Sequence, residues 1–395
     1  MAYPNLHHSF ADALPELAIA TEAATPPAPK LVVLNDELAR DLKLDPEWLR
    51  SEEGVTWLCG AGGGHATGYA GHQFGQFSGI LGDGRALLLG DRGGWEIQTK
   101  GSGRTPFSRG YSDGKGALGP MLREYLISEF MHAIGVPTTR ALAVVTTGEQ
   151  IRRDRGLEHG AILVRVATSH LRVGSFELAA TQSDDLVARM IEYAGFASAR
   201  KLLETVTRRQ FDLVAQWMRI GFVHGVMNTD NTTISGETID YGPCAFTEKF
   251  DLSAVYSSID TQGRYAFGNQ PDIMAWNLTV LARALGDHLD DHATQDLFNQ
   301  LPELWEEAQN KHMPEIDELA RADDITTYNR EHYGGPLFIP RNQMLANALV
   351  SAEAGEFGLY LLLLGAVTDP FNPDAGPEWL AQPEGPVDFT TFCGT

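Results

Sequence analysis

The sequence predicts an α+β protein of two lobes, a strand-rich N-terminal lobe followed by a helical C-terminal lobe. Residues 80–167 contain four short segments of strand character around one helical pattern. Beyond about residue 180 the apolar residues recur at helical spacing. With about 100–200 residues per domain, we expect three parts: an N-terminal extension and glycine-rich segment over 1–79, the strand-rich lobe over 80–175 and the helical lobe over 176–395.

Composition excludes several function classes. The chain has 395 residues with 30 Lys+Arg and 52 Asp+Glu, a net charge of −22, whereas nucleic-acid binding needs clustered basic side chains. The three cysteines are too scattered for a disulfide framework or a zinc cage. The N-terminus lacks a secretory pattern, and the most apolar stretch, 359–367, is far below the ~20 residues that cross a bilayer. We therefore expect a cytoplasmic protein with no nucleic-acid or membrane partner.

The first strands follow a glycine-rich region. Residues 60–84 contain ten glycines, and this density predicts a loop because glycine weakens strand and helix interiors. Strands are predicted at 85–89 and 95–100, the second with alternating apolar and polar residues. Lys100 therefore ends a strand and points to its polar face.

A helix and two more strands come next. Pro120 begins a helical pattern with an apolar stripe, and Gly135 ends it. Glu124 lies on an adjoining face of this helix. Strands are predicted at 141–146 and 161–167, joined by a charged turn. Residues 80–167 thus read strand, strand, helix, strand, strand.

The remainder is predicted to be helical. Ser183 is a candidate N-terminal cap, because its hydroxyl can accept a hydrogen bond from the first turn. The predicted helices span residues 184–193, 199–220, 272–285, 292–309 and 343–354.

The strand-rich lobe has the layout of a protein-kinase nucleotide lobe over 80–175. It carries in order a glycine turn, Gly82-Asp83-Gly84-Arg85, a strand-end lysine, Lys100, and a helix with a glutamate, Glu124. In that layout the lysine contacts phosphates and the glutamate fixes the lysine. Each part alone has a simpler alternative: the glycine turn as a tight hairpin and Lys100 as a solvated strand end.

A second group of polar residues follows the long helix at 199–220. Asn231 and Asp240 are separated by a short hairpin, and such a pair can hold a divalent cation that bridges nucleotide phosphates, because Mg²⁺ prefers hard oxygen ligands. The alternative is that the Asn and Asp side chains only stabilise turns.

Six longer motifs carry a family resemblance: GHQFGQFSGILGDGR, KGSGRTPFSRGYSDGKGALGPMLREYLISEF, RVATSHLRVGSFE, HGVMNTDN, IDYGP and QGRYAFGNQP. Together they resemble the selenoprotein O family of kinase-like adenylyltransferases, closely over residues 1 to about 285 and again at 339–342 and in the tail. The resemblance implies a kinase-like bilobal fold and transfer of AMP from ATP to hydroxyl side chains (Ser, Thr or Tyr) of acceptor proteins, with release of pyrophosphate and with Mg²⁺ or Mn²⁺.

Site roles carry over by motif. The resemblance implies that Asp230 is the general base and that Asn231 and Asp240 bind the metal. It also implies a nucleotide-binding set: Gly82, Gly84, Arg85, Lys100, Asp113, Gly114, Glu124, Arg165, Arg172 and Asp240. ATP would bind in the reversed orientation, with its α-phosphate towards the acceptor. The arginines beyond Lys100 would then hold the β- and γ-phosphates, since guanidinium groups match phosphate oxygens.

Spacing near Asn231 agrees with this chemistry, but two other functions stay open. A protein kinase has its catalytic aspartate five positions before the metal-binding asparagine, and here that position is Val226. The alternatives are γ-phosphoryl transfer with Asp230 as base, and a non-catalytic ATP-binding pseudokinase scaffold.

Two regions depart from the family pattern. Residues 301–339 are shorter than in typical members. The family often ends near a cysteine that pairs with one in the helical lobe; Cys393 is present, but 256–259 contain no cysteine. A switch of that design is not expected here. Cys244 is expected to be a buried small hydrophobe.

Overall fold

The computed structural model describes residues 3–153, 156–385 and 389–391. Its strands, in chain order, are β1 (Ala18–Thr21), β2 (Lys30–Leu34), β3 (Gly64–Thr67), β4 (Gly71–Gln73), β5 (Gln76–Ser78), β6 (Ala86–Arg92), β7 (Trp95–Lys100), β8 (Gly116–Ala117), β9 (Arg140–Arg153), β10 (Gly156–Ala167), β11 (Phe222–Val223) and β12 (Ala245–Phe246). Its helices are α1 (Ser9–Ala13), α2 (Asp36–Asp41), α3 (Pro46–Arg50), α4 (Glu52–Leu58), α5 (Leu118–Ala133), α6 (Val173–Ala180), α7 (Asp184–Tyr193), α8 (Ala199–Arg219), α9 (Gln270–Leu285), α10 (Asp291–His312), α11 (Ile316–Leu319), α12 (Ile325–Tyr333), α13 (Asn342–Glu353) and α14 (Gly358–Thr368).

The first part of the chain forms one antiparallel sheet. Its strand order is β1-β3-β6-β7-β10-β9-β2, and β8 pairs with β10. The pairing of β7 with β10 sets Gln98 opposite Arg165 and Lys100 opposite Leu163. This register places polar side chains of two neighbouring strands on one face of the sheet, where the candidate site lies.

The predicted order over residues 80–167 is confirmed. It corresponds to β6, β7, α5, β9 and β10, and the structure adds the two-residue strand β8 directly before α5. The strands β9 and β10 are longer than the sequence pattern indicated, because they continue as a two-stranded hairpin beyond the sheet core. Residues 154 and 155, within the predicted charged turn, lie outside the described residues.

The prediction of a loop over residues 60–84 is wrong. Three strands of three or four residues, β3, β4 and β5, lie there. β3 is inserted between β1 and β6 in the main sheet, and β4 pairs with β5 in a separate two-stranded hairpin. The glycine content of the sequence did not predict these three strands, because such short strands are determined by the strands they pair with and not by their own composition.

Apolar side chains cover both faces of the sheet. On one face α5 packs against β9 and β10 and joins the helical region in a continuous core. On the other face α2, α3 and α4 cover a smaller core with Leu87, Ile97 and Val164 from the strands. The sheet is therefore buried on both sides, and its polar residues must find partners inside the protein.

The helical predictions are confirmed in the second part of the chain. Helix α7 has the predicted bounds, and α8, α9, α10 and α13 differ from theirs by up to three residues at an end. The Ser183 hydroxyl accepts a hydrogen bond from Leu186 N at 3.2 Å, as expected for an N-terminal cap. In the described part of the chain, no helix combines the length and the apolar character needed to cross a membrane.

A proline-containing segment connects the two edges of the sheet. β1 and β2 are consecutive in sequence but lie at opposite ends of the strand order. Between them, Ala24 N donates to Ser102 O at 2.8 Å and Ala28 N donates to Thr147 O at 3.1 Å. The segment 22–29 therefore crosses the sheet along one end of its strands.

Candidate active site

Lys100 is the last residue of β7 and lies inside the protein. Its side chain is 7% exposed, and its Nζ donates to Glu124 Oε2 at 2.6 Å from the facing helix α5. The alternative of a solvated strand end is therefore wrong. A buried ammonium group needs a carboxylate partner, and Glu124, itself buried, provides it.

Asp240 is a second partner of the same ammonium group. Lys100 Nζ contacts Asp240 Oδ1. Burial opposes ionisation of Asp240, but the charge of Lys100, with those of Arg165 and Arg85, outweighs it and holds the pKa of this carboxyl well below its usual range. The backbone of Asp240 has φ 67°, a conformation that Asp and Asn tolerate better than most residues. The structure thus brings together residues 140 positions apart in sequence.

A buried polar network extends from this group across the sheet. Arg165 Nη1 donates to Glu124 Oε1 at 3.2 Å, and Arg165 Nε donates to Gln98 Oε1 at 2.8 Å. Gln98 Nε2 in turn donates to Asp83 Oδ2 at 2.9 Å. Both oxygens of Glu124 are therefore bonded to cations, which fixes its orientation.

Arg172 approaches from the segment after β10. It is 4% exposed, its guanidinium lies 4.4 Å from the ring centre of Tyr69, and its Nη1 donates to Asp230 O at 3.1 Å. Its Nη2 is buried without a hydrogen-bond partner among the described residues. A buried unpaired donor is costly, so this nitrogen is available to a ligand.

Asp230 lies in a short helical turn, Thr229–Asn231, under the β4–β5 hairpin. Burial raises the pKa of this carboxyl to about 6, although the charge of Arg172 opposes the shift. Its Oδ1 is buried without a partner in the described part of the chain. The neighbouring Asn231 donates through Nδ2 to Val226 O at 3.0 Å, which leaves Oδ1 as the acceptor end of its amide.

The segment Gly82-Asp83-Gly84-Arg85 lies directly before β6. The interpretation as a hairpin turn is wrong, because β5 and β6 on either side of it are not paired with each other. Gly82 has φ 64°, and a Cβ there would lie 2.3 Å from Phe107 Cγ, so only glycine fits. Arg85 contributes a charge felt by Asp240. The turn is thus held close against the segment after β7.

Comparison with known proteins decides the family. The family model described as protein adenylyltransferase SelO matches residues 4–316. The chain belongs to this family. Proteins named "Protein nucleotidyltransferase YdiU" are similar over their whole length: that of Corynebacterium efficiens is 44% identical and covers 99% of this chain and 96% of its own, and that of Mycobacterium sp. (strain KMS) is 43% identical with 99% of both chains covered. A third, from Cereibacter sphaeroides, is 43% identical and covers 98% of this chain and 99% of its own.

This SelO family member lacks segments that its relatives carry. The alignment with the Corynebacterium efficiens protein spans 477 positions, whereas this chain has 395 residues. The region in which the sequence indicates shortening, 301–339, contains the end of α10 together with α11 and α12. These helices lie beyond the residues that position Lys100 and Asp240.

Two of the site residues expected from the SelO motifs lie in a different network. Asp113 accepts from Arg153 at 2.9 and 3.1 Å. Burial opposes ionisation of Asp113, but the Arg153 hydrogen bonds help to hold its pKa below the usual value. Gly114 follows it, and its carbonyl accepts from Gly103 N at 3.1 Å. Among the described residues no hydrogen bond links this loop to Lys100 or Asp240.

Polar residues of the β4–β5 hairpin and of the neighbouring helix α6 lie at the site, although the sequence motifs assigned them no role. His72 and Gln73 from the hairpin contact Glu177 and Asp230, respectively. Their segment, GHQFGQFSG, supported the SelO resemblance, but no role was assigned to its side chains. A signal was present in the sequence, since polar His and Gln residues in a glycine-rich stretch cannot be explained by packing alone.

The two described thiols of this SelO protein, Cys59 and Cys244, are buried and free. Cys244 is fully buried and Sγ lies 3.3 Å from Tyr241 O, so the expectation of a buried small residue is confirmed. Burial raises the pKa of the Cys244 thiol to about 11, which keeps it protonated. Cys59 is buried as well. Cys393 lies outside the described residues.

Proposed function

We propose that this protein transfers AMP from ATP to the hydroxyl groups of Ser, Thr or Tyr side chains in acceptor proteins and releases pyrophosphate. One observation supports the proposal above the others: in a chain of net charge −22, the cations Lys100, Arg85 and Arg165 all act on the single carboxylate of Asp240. Cations clustered at a half-buried carboxylate fit a polyphosphate with its metal. Membership of the SelO family supports the same activity.

The proposed architecture is a kinase-like bilobal fold. In it, residues 80–175 form the nucleotide lobe and 176–395 the helical lobe, with 1–79 as an N-terminal extension. The ion pair between Lys100 on β7 and Glu124 on α5 supports this arrangement, because a strand lysine paired with a helix glutamate is the organising contact of a kinase nucleotide lobe.

We propose that ATP binds with its β- and γ-phosphates directed inwards. Lys100, Arg165 and Arg172 would hold these phosphates, and the unpartnered Nη2 of Arg172 supports that role. Gly82, Gly84 and Arg85 would contact the nucleotide from the turn before β6. For Asp113 and Gly114 we propose a nucleotide contact at the edge of this site, next to Arg153.

Asp230 is proposed as the general base. The acceptor oxygen would attack the α-phosphorus, the bond between that phosphorus and the bridging oxygen to the β-phosphate would break, and pyrophosphate would leave. Asp230 would take the proton from the acceptor hydroxyl. A pKa of about 6 leaves its carboxyl mostly ionised at pH 7 and still basic enough to accept that proton.

Asn231 and Asp240 are proposed to hold Mg²⁺ or Mn²⁺. Their side chains supply an amide oxygen and a carboxylate, the hard donors that these ions take in small number from protein when nucleotide phosphates complete the shell. The ion, when bound, neutralises phosphate charge. The carboxylate of Asp240 also contacts the Lys100 ammonium group, which stabilises its charge.

We propose the cytosol as the compartment of this reaction. The described cysteines Cys59 and Cys244 are buried free thiols, which suit a reducing environment.

Separate labelling of the α- and γ-phosphates of ATP tests the proposal. The purified protein is incubated with Mg²⁺, a mixed acceptor such as a denatured protein pool, and ATP labelled at one position at a time. AMP transfer predicts α-label on protein and labelled pyrophosphate from the γ-labelled ATP. Protein labelled only from γ-ATP would establish phosphoryl transfer instead, and the absence of both would establish a non-catalytic scaffold. The Asp230→Asn variant is the control for chemistry that depends on the site.

A further inference from the structure

Three successive residues of the β4–β5 hairpin form hydrogen bonds with residues 228–230, at the turn that carries Asp230. His72 N donates to Thr229 Oγ1 at 2.7 Å, and Phe74 N donates to Asn228 Oδ1 at 3.1 Å. Gln73, between them, reaches Asp230 with its side chain. The backbone on both sides of Gln73 is therefore fixed relative to the turn that carries Asp230.

A buried glutamate strengthens this attachment. Glu177 on α6 is 5% exposed; its two oxygens lie 2.5 Å from His72 Nδ1 and 2.5 Å from Thr229 Oγ1. It thus joins the hairpin and the turn through a third element. A polar cluster satisfied on all sides holds one geometry in preference to others.

The contacts of the Gln73 amide determine which way it points. Its Oε1 accepts from Arg109 Nη1 at 3.3 Å and its Nε2 donates to Asp230 Oδ2 at 3.3 Å. A guanidinium only donates and a carboxylate only accepts, so the opposite amide orientation would face donor to donor and acceptor to acceptor. Arg109 therefore sets Gln73 as a donor to Asp230.

Only one oxygen of Asp230 is engaged in this way. Oδ2 takes the Gln73 hydrogen bond, whereas Oδ1 is buried without a partner among the described residues. A Cβ at position 71 would lie 2.8 Å from Oδ1, so only glycine lets the hairpin backbone pack this closely against the carboxylate. The Gln73 amide is therefore the side chain that holds the Asp230 carboxylate in its orientation.

We infer that Gln73 is a positioning residue for the transfer reaction: its amide, oriented by Arg109, holds Asp230 by Oδ2 and so fixes the orientation of the carboxylate towards the acceptor hydroxyl. This inference rests on the proposed role of Asp230 as the base. Gln73 acts through Asp230, so its loss changes the rate of the chemical step and leaves the binding of ATP to Lys100, Arg165 and Arg172 unchanged.

The chain contains a matched control within the same hairpin. Gln76 faces Gln73 across the β4–β5 pair but is exposed. Changing either residue to methionine keeps the length of the side chain and removes its amide. Gln73→Met and Gln76→Met therefore place the same substitution on the same two-stranded element, and only the first removes the hydrogen bond to Asp230.

The experiment compares kcat and KM for ATP in an α-label transfer assay with the mixed denatured acceptor, together with the Tm of each variant. Loss of a hydrogen bond to a charged group corresponds to a decrease of about 10- to 100-fold in kcat when that bond supports the chemical step. We expect that loss for Gln73→Met with a KM for ATP within about 2-fold of wild type, and wild-type values for Gln76→Met. In an Asp230→Asn background, Gln73→Met should produce no further loss.

Three results would overturn the inference. Equal kcat values for the two methionine variants would show that the amide contact has no role. A fall in the Tm of Gln73→Met, with parallel changes in its kcat and KM, would show that Gln73 contributes to folding and not to the position of Asp230. A wild-type rate in Asp230→Asn would refute the role of Asp230 as the base and, with it, the positioning role of Gln73. A loss of rate in Asp230→Asn without a loss in Gln73→Met would refute only the positioning role.

Discussion

Glu124 is bonded to Lys100 through one carboxylate oxygen, across 2.6 Å, and to Arg165 through the other, across 3.2 Å. A single helix residue thereby orders two cations of the neighbouring strands. Lys100 also contacts Asp240, so the glutamate and the predicted metal ligand share one ammonium group. The position of this lysine therefore depends on one residue of α5 and one residue of the region after α8.

Lys100 and Glu124 should act as a coupled pair in catalysis. The variants Lys100→Met and Glu124→Gln each remove one side of the ion pair, and we expect each to lower kcat/KM. The double variant should lose much less than the product of the two single losses, because the glutamate works by placing the lysine. A double-mutant cycle on AMP transfer measures this coupling, and independent multiplicative losses would refute it.

Asp240→Asn should remove activity while leaving the fold intact. Asparagine accepts the positive φ of this position, and Lys100 keeps Glu124 as its partner. The Tm should therefore change by no more than about 2 °C, equivalent to about 1–2 kcal/mol for a chain of this length. Loss of the anionic ligand should lower AMP transfer by about 100-fold or more. Near wild-type transfer at saturating Mg²⁺ would exclude Asp240 as the metal ligand.

Arg172 should contribute to the affinity for ATP but not for AMP. Its unpaired Nη2 is available to the β- or γ-phosphate, which AMP lacks. A charge-assisted hydrogen bond is worth about 1.5–3 kcal/mol, so Arg172→Met should weaken ATP binding by roughly 10- to 100-fold. Calorimetry with ATP and AMP measures both affinities. An equal loss of affinity for ATP and AMP would show that Arg172 contacts a part of the nucleotide that both ligands share.

Divalent metal should bind weakly to the protein without nucleotide. Only Asn231 and Asp240 are proposed as ligands, and the Asp240 carboxylate is already paired with the Lys100 ammonium group. Titration with Mg²⁺ should therefore give little heat for the protein alone and clear binding when a non-hydrolysable ATP analogue is present, after subtraction of the analogue's own Mg²⁺ binding. Asp240→Asn should abolish the difference. Tight binding of Mg²⁺ to the nucleotide-free protein would contradict the assignment.

Local patterns predicted the elements near the site well. Alternation of residue types identified β7, and helical spacing with Ser183 as a cap identified α7, because both signals are determined by a few adjacent residues. The order of Lys100 and Glu124 in the chain was enough to expect their pairing. These predictions depend on short-range chemistry, which a single sequence displays directly.

Long-range contacts could not be predicted in the same way. Nothing in the sequence near Gln73 indicates that its amide meets Asp230, since the two residues are 157 positions apart. Likewise, the polar face of β7 suggested solvent, but Gln98 and Lys100 are buried because α5 and the segment around Asp240 cover them. Burial of a polar strand face depends on what packs against it, and a single sequence does not show this.

The segment between β1 and β2 is short for the sheet that it crosses. Five strands lie between these two, so in a flat sheet, at about 4.8 Å per spacing, the edges would be about 29 Å apart. The chain from Thr21 to Lys30 spans at most about 30–32 Å when fully extended. This linker therefore limits how far the sheet can flatten or spread. A one-residue deletion within it would pull β1 or β2 out of register, whereas an insertion would loosen the edges without breaking any strand pair.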